Sequence, residues 1–506
     1  MKRSLLRLAA LAAVFALQAA GALAQTATPN FSKYVALGDS YGAGYGSGCL
    51  VARHQRFSYP AQLAKSFGIT DFQQPTVSDP GIPTCNTITG LAPTFGPISK
   101  VTGAPTNAAL ARSYDNLSVP DSKIADVSDK TTDNGGLFDL VLRGRGTQLN
   151  QALGLNPTFI TLGIVGNDIL TAGGAGFLQD GVTATPLPLF TAKYNAVAAA
   201  LKAPGRTGVF ISTPDPRLLP LATTIPYYVV NPATRQPVRD ASGNVIPLYG
   251  SRDTGDPRCK VGPAGKVCPL PPGTLVTLGA SAPQAALGGS SLLGLGFGIP
   301  CSVNPTLPRC DFPLPDGSFT PPATVNIGVV LYPDEVLAID QRVRDMNAVI
   351  KSAAEANGFK YFDFYALSQD LMTNGRTYGG IHVSTAFVTG GLFGYGEAVH
   401  MSNIGYTILA DELIQFINAS YGTNLERPNM ATALFTPDVP AAGSTGIVAQ
   451  AASLDFTEEM WRGIFRAFPL QDEAFELVFA AEPVAAVERA APVERGRVIR
   501  LPRKRE

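Results

Sequence analysis

Short apolar runs alternate with longer amphipathic stretches along most of this chain, and that rhythm predicts strands separated by helices. Residues 33–37 hold the first buried run, Tyr34-Val35-Ala36-Leu37. Residues 60–67 predict a helix with Ser58 as its cap, and residues 115–119 a second strand. A helix is predicted over 137–153, a β-branched third strand over 158–163 and an Ala-rich helix over 190–203. Residues 208–212 read as a fourth strand. Over 334–357 apolar residues recur at helical spacing: Val336, Leu337, Ile339, Val343, Met346, Val349 and Ile350. Residues 360–364 predict a fifth strand, and 404–417 a last amphipathic helix capped by Ser402. Strands separated by helices argue for an α/β fold with a parallel sheet covered on both faces. In such sheets ligand sites form beyond the carboxyl ends of the strands.

Three stretches depart from this rhythm. Lys2 and Arg3 precede an apolar run over 5–22, and Ala22-Leu23-Ala24 fits the small-residue pattern before a cleavage point. Residues 1–24 therefore read as a secretory signal peptide. No Cys follows the cut, and Gly and Pro interrupt every later candidate for a membrane span. The expectation is an exported protein, secreted or periplasmic, with no transmembrane segment. Residues of about 214–330 form a Pro-, Gly- and Thr-rich insertion with four of the six cysteines. A loop region this long is either functional or decorative. Its apolar, Gly-rich stretch 275–299 suggests a cover, or lid, over a site. Residues 428–506 read as a largely disordered tail, with one short helix over 456–467.

The six cysteines, Cys49, Cys85, Cys259, Cys268, Cys301 and Cys310, are even in number, as an exported disulfide protein requires. Local pairs Cys259–Cys268 and Cys301–Cys310 would each staple a loop and leave Cys49 with Cys85, although spacing leaves other pairings open. No pair has the close spacing of a zinc knuckle, so no metal or cofactor is expected. The 39 Lys and Arg balance 39 Asp and Glu, which removes the basic footprint of a nucleic-acid binder.

The candidate chemistry starts at Gly38-Asp39-Ser40-Tyr41-Gly42-Ala43. A serine on a tight Gly-rich turn after a strand can present its hydroxyl as a nucleophile. Its base must come from three histidines. His54 lies in the polar stretch Arg53-His54-Gln55-Arg56 and is read as a surface residue; His382 is read as a loop residue. His400 precedes the last helix and follows Glu397 by three residues, a spacing that lets the carboxylate fold back and orient the imidazole.

These strings make the chain resemble the GDSL/SGNH hydrolases, a family of serine esterases and lipases. The family's blocks recur in order over about residues 31–425: Gly38-Asp39-Ser40-Tyr41, then Val165-Gly166-Asn167-Asp168, then Glu397-Ala398-Val399-His400. The resemblance implies a flavodoxin-like three-layer sandwich with a parallel central sheet. It also implies a monomer, and a carboxylic ester of a small molecule or lipid as substrate. By the same likeness Ser40 is the nucleophile, His400 the base and Glu397 its orienting acid. The oxyanion donors are the Ser40 N–H, the Asn167 side chain and a backbone N–H of the second block. Asp39 and Asp168 brace the loops.

The chain also departs from the family pattern. Tyr41 replaces the usual leucine, Glu397 the usual aspartate, and Met401 the usual proline after the histidine. The oxyanion glycine aligns with Asp121, with Ser118 as the other candidate. A G-x-S-x-G string formally allows an α/β-hydrolase fold. Only about fifteen residues separate the cleavage point from Ser40, which leaves no room for that fold's preceding strands. The leading expectation is a serine esterase or lipase working through an acyl-enzyme. An acetylated-carbohydrate esterase and an impaired lipid- or glycan-binding member are the alternatives.

Overall fold

A computed structural model describes residues 28–88, 95–97, 102–175, 177–223, 330–385, 391–394, 399–436 and 438, and, with short breaks, 226–276. The signal peptide, Glu397, Cys301, Cys310, residues 277–299 of the apolar stretch and the tail helix expected over 456–467 lie outside the described residues. Four strands, β1 (Tyr34–Gly38), β2 (Phe159–Gly163), β3 (Thr207–Ile211) and β4 (Lys360–Phe362), pair in that order, all parallel. Gly38 registers against Gly163, so β1 and β2 end level with each other.

The expected second strand at 115–119 is a partial one. It lies along the outer edge of β1 with a single parallel bridge, Ala36 to Asn116. Ala36 N–H donates to Asp115 O (2.9 Å), Leu117 N–H to Ala36 O (2.8 Å) and Val119 N–H to Gly38 O (3.0 Å).

Alternation along the strands decides what covers each face. Tyr34, Ala36, Phe159, Val209, Ile211 and Phe362 pack with Leu63, Ile408, Leu413 and Ile414 on one side. Val35, Leu37, Ile160, Leu162 and Phe210 pack with Val127, Ala152, Val197, Val343 and Met346 on the other. Helices therefore bury both faces of the sheet. The first face carries α1 (Ser40–Ala43), α2 (Tyr59–Ser66) and α7 (Asn403–Tyr421); the second carries α3 (Gln148–Gly154), α4 (Leu187–Leu201) and α5 (Pro333–Ala356). Ser58 and Ser402 cap α2 and α7 as their sequences predict, their hydroxyls accepting from Ala61 N and Gly405 N.

Three elements differ from the sequence reading. The helix expected over 137–153 is two, Leu137–Leu142 and α3. Arg143, Gly144 and Gly146 take positive φ of 52°, 68° and 98°, which no right-handed helix accommodates. Thr147 then restarts the chain, its hydroxyl accepting from Asn150 N (3.1 Å). A helix α6 (Phe364–Asn374) follows β4 at once, started by the Asp363 carboxylate accepting from Ala366 N (3.0 Å). The segment assigned to the tail begins with a helix, Met430–Leu434, that buries Ala433.

Leu275–Val276, midway along the insertion, pairs antiparallel with Val330–Leu331 at its C-terminal end. Within it Tyr249–Gly250, Gly265–Pro269 and Lys260–Gly262 form a small sheet. Cys259–Cys268 and Cys49–Cys85 stand at disulfide distance, which fits an oxidising compartment. No described helix is long and apolar enough to cross a membrane.

Cys49 and Cys85 close a loop with a sequence separation of 36 and are fully buried beside Val51. The double variant Cys49→Ala/Cys85→Ala should lose about 2–4 kcal/mol of stability, the usual worth of a bridge across such a loop. Urea unfolding reads this directly, and an unchanged midpoint would contradict it. Thiol titration of the unfolded, unreduced protein should find these two cysteines blocked.

Candidate active site

The chain leaves β1 through Asp39, and this one carboxylate organises two loops. Its oxygens accept from Tyr41 N (3.0 Å) and from Val165 N (2.7 Å). The first bond caps α1; the second ties α1 to the segment leaving β2. Ser40 is the first residue of α1. Gly42 is required in that turn because a Cβ there would collide with Ser118 Oγ. Asn116 Nδ2 donates to Gly42 O (2.9 Å) and holds the turn from the edge segment.

His400 arrives from the far end of the chain on a short loop before α7. Its carbonyl accepts from Gly394 N (2.8 Å), and Ser402 N donates to Leu392 O (2.9 Å). The Ser402 hydroxyl adds a bond to Gly391 O (2.6 Å). So held, the His400 Nε2 lies 2.7 Å from Ser40 Oγ. Ser40 is only 6% exposed and His400 is half-buried. These two of the expected catalytic residues are thus brought together at the carboxyl end of the sheet.

The segments with the other expected oxyanion residues are tied to the end of β1 and to each other. Asn167 Nδ2 donates one proton to Ser122 O (3.1 Å). Gln148 Nε2 spans Gly38 O (3.3 Å) and Ser122 Oγ (3.2 Å). Asp121 sits between these anchors, since Val119 N bonds Gly38 O on one side and Ser122 bonds Asn167 on the other. Its φ is +65°, the left-handed region where glycine is usual, and its side chain is exposed. The backbone N–H groups of Ser40 and Asp121 make no hydrogen bond among the described residues. Ser118 differs: its N–H already donates to Asn116 Oδ1 (3.1 Å), and its buried hydroxyl packs under Gly38 and Gly42. Between the two candidates, Asp121 has the open donor and the backbone conformation.

The two block aspartates brace loops. Asp168 accepts from Ile124 N (3.0 Å) and from Thr185 Oγ1 (2.6 Å), and burial raises its carboxyl. Burial pushes the Asp39 carboxyl up to about 7, against its two N–H donors and the nearby His400. A carboxyl raised above its unfolded value stabilises the fold fully below about pH 4 and loses that contribution as pH rises to about 7. Asp438 and Glu335 are raised to about 7 for the same reason. Stability should therefore fall between pH 5 and pH 8, and Asp39→Asn should flatten the fall. Urea midpoints at the two pH values test this; equal slopes in both proteins would contradict it.

The other histidines are elsewhere. His54 is buried, 1% exposed, not on the surface as its neighbours suggest. The one-turn helix Ala52–Gln55 turns Ala52 and Arg56 to solvent and His54 inward, its Nδ1 2.9 Å from Asn403 Oδ1. His382 lies on a hairpin strand, Ile381–Val383, rather than in a loop; it is exposed and near Thr377 Oγ1. Neither bonds Ser40. Sequence reasoning missed Gln148 and Asn116. A Gln inside an apolar helical pattern and an Asn at a strand edge were the available signals. No protein-family model matches the chain, and no curated protein matches it.

Proposed function

We propose that this chain is an exported serine esterase or lipase of the GDSL/SGNH type. The observation that carries the reading is the 2.7 Å bond between Ser40 Oγ and His400 Nε2, made by residues separated by 360 positions. Counting the 115–119 edge segment as the second strand, the order across the sheet is 2-1-3-4-5, which supports a flavodoxin-like sandwich. The site then sits at the switch point of the sheet, where such folds bind ligands.

In this reading His400 takes the Ser40 proton as Oγ attacks the ester carbonyl carbon. The negative oxygen of the tetrahedral intermediate is met by the Ser40 and Asp121 N–H groups and the second Nδ2 proton of Asn167. Collapse breaks the bond to the alcohol oxygen, which takes the proton from His400. Water, deprotonated by the same imidazole, then releases the acid and restores Ser40. Glu397, three residues before His400, is assigned the orienting role by its position in the sequence alone.

The test is hydrolysis of p-nitrophenyl esters of graded chain length by the purified mature chain. Ser40-dependent turnover is the expected result. Turnover absent, or equal in Ser40→Ala, overturns the enzyme reading in favour of a binding protein. A sharp preference for acetyl esters would favour an acetylated carbohydrate over a lipid.

A further inference from the structure

The residue after the nucleophile reaches the residue before the base. Tyr41 Oη donates to Val399 O at 2.6 Å, beside the Ser40–His400 bond. Adjacent residues of α1 thus bond adjacent residues of the loop before α7. The Tyr41 ring centroid lies 5.6 Å from that of His400, tilted 47°. Tyr45 flanks the same imidazole at 4.8 Å, tilted 55°. Tyr45 is fixed in turn, since its N–H donates to Ser40 O (3.0 Å) and its carbonyl accepts from Tyr406 Oη (2.6 Å).

Two aromatic rings within about 6 Å of a group that becomes a cation favour the charged form. During turnover the imidazolium forms as His400 takes the Ser40 proton, so this stabilisation acts on the reacting state. The hydroxyl bond acts differently: it fixes the backbone that aims Nε2 at Oγ. A leucine at position 41 supplies neither.

We propose that Tyr41 is a positioning residue for the Ser40–His400 pair, its hydroxyl setting the His400 loop and its ring, with that of Tyr45, supporting the imidazolium. This rests on the esterase reading for its effect on turnover, but its structural content does not. The ionisable groups facing the imidazole are Asp39, Tyr41 and Tyr45; behind Asp39 lie Asp168 and Tyr59. Glu397 is three residues away along the chain.

The experiment compares Tyr41→Phe, Tyr41→Leu and Tyr45→Leu with the unsubstituted mature chain. Turnover of the best p-nitrophenyl ester gives kcat and KM, and imidazole NMR follows the titration of His400. With three histidines in the chain, His400→Gln assigns the signal. Tyr41→Phe should lower kcat by about tenfold with KM nearly unchanged, and Tyr41→Leu by about a hundredfold, the scale of a small misplacement of reacting groups. The His400 titration midpoint should move to lower pH in Tyr41→Leu and Tyr45→Leu and stay in place in Tyr41→Phe. A midpoint unmoved in both leucine variants overturns the proposal, as does a Tyr41→Leu kcat equal to wild type. If Tyr41→Leu does not fold, Tyr41→Phe and Tyr45→Leu decide by the same criteria. If no protein shows Ser40-dependent turnover, the esterase reading fails while the titration still tests the ring contacts.

Discussion

On the proposed esterase reading, Ser40→Ala should lower kcat by about 10⁶-fold, and His400→Ala by nearly as much. The double variant should be no worse than either single one. The reason is the single 2.7 Å bond that makes the two side chains one reacting unit. Without the imidazole, Oγ keeps its proton; without Oγ, the imidazole has no nucleophile to activate. What survives is the contribution of the oxyanion donors and of substrate binding. The control lies in the other histidines. His382→Ala should leave turnover near wild type, because that imidazole is exposed on a hairpin. His54→Ala should act on stability instead, since it removes a buried partner of Asn403 at the start of α7. Steady-state kinetics and thermal melts of the five variants and the unsubstituted chain separate these effects. Additive losses in the double variant, or a dead His382 variant beside an active His400 variant, would refute the assignment.

What was legible in the sequence followed from short-range rules. The strands of the sheet are runs whose alternation matches two buried faces, and Ser58 and Ser402 announce their helices by capping chemistry. Spacing left the cysteine pairings open, and Cys49–Cys85 and Cys259–Cys268, two of those it suggested, stand at disulfide distance. What was not legible depended on contacts between distant segments. The polar string around His54 conceals an inward-facing imidazole because its partner, Asn403, is 349 positions away. The helix over 137–153 reads as continuous by periodicity, yet Gly144 and Gly146 give the chain the freedom to break it. The edge segment at 115–119 has strand composition, but what its side chains meet is distant in sequence: Asn116 bonds Gly42, 74 positions back, and Ser118 packs under Gly38 and Gly42. In the candidate site, Ser40 and His400, singled out by pattern, come within bonding distance and Asn167 bonds Ser122 O, whereas Gln148 entered only through geometry. Asp121 is an intermediate case. The resemblance aligned it with a glycine, and its φ of +65° is a conformation in which glycine is usual.

That conformation leads to the second large effect, on the oxyanion. Asn167→Ala should lower kcat by about 10²–10³-fold, or about 3–4 kcal/mol, with little change in KM. The amide serves two ends. One Nδ2 proton fixes the loop at Ser122 O; in the proposed esterase reading the other meets a negative oxygen that exists only in the transition state. Removing it therefore takes away an interaction absent from the bound ester, which is why kcat and not KM should respond. Asp121→Gly supplies the complementary arm. Glycine keeps the backbone N–H and adopts the left-handed conformation without the steric cost of about 1 kcal/mol that a side chain incurs there. Turnover should be retained or raised and the melting temperature unchanged or higher. A carboxylate near a forming oxyanion repels it unless the side chain points to solvent, and Asp121 is exposed. If Asp121→Gly raised kcat strongly, the exposed carboxylate would be acting on the oxyanion after all. If Asn167→Ala left kcat intact, its amide would be a loop brace alone, and the oxyanion would depend on the two open backbone donors of Ser40 and Asp121.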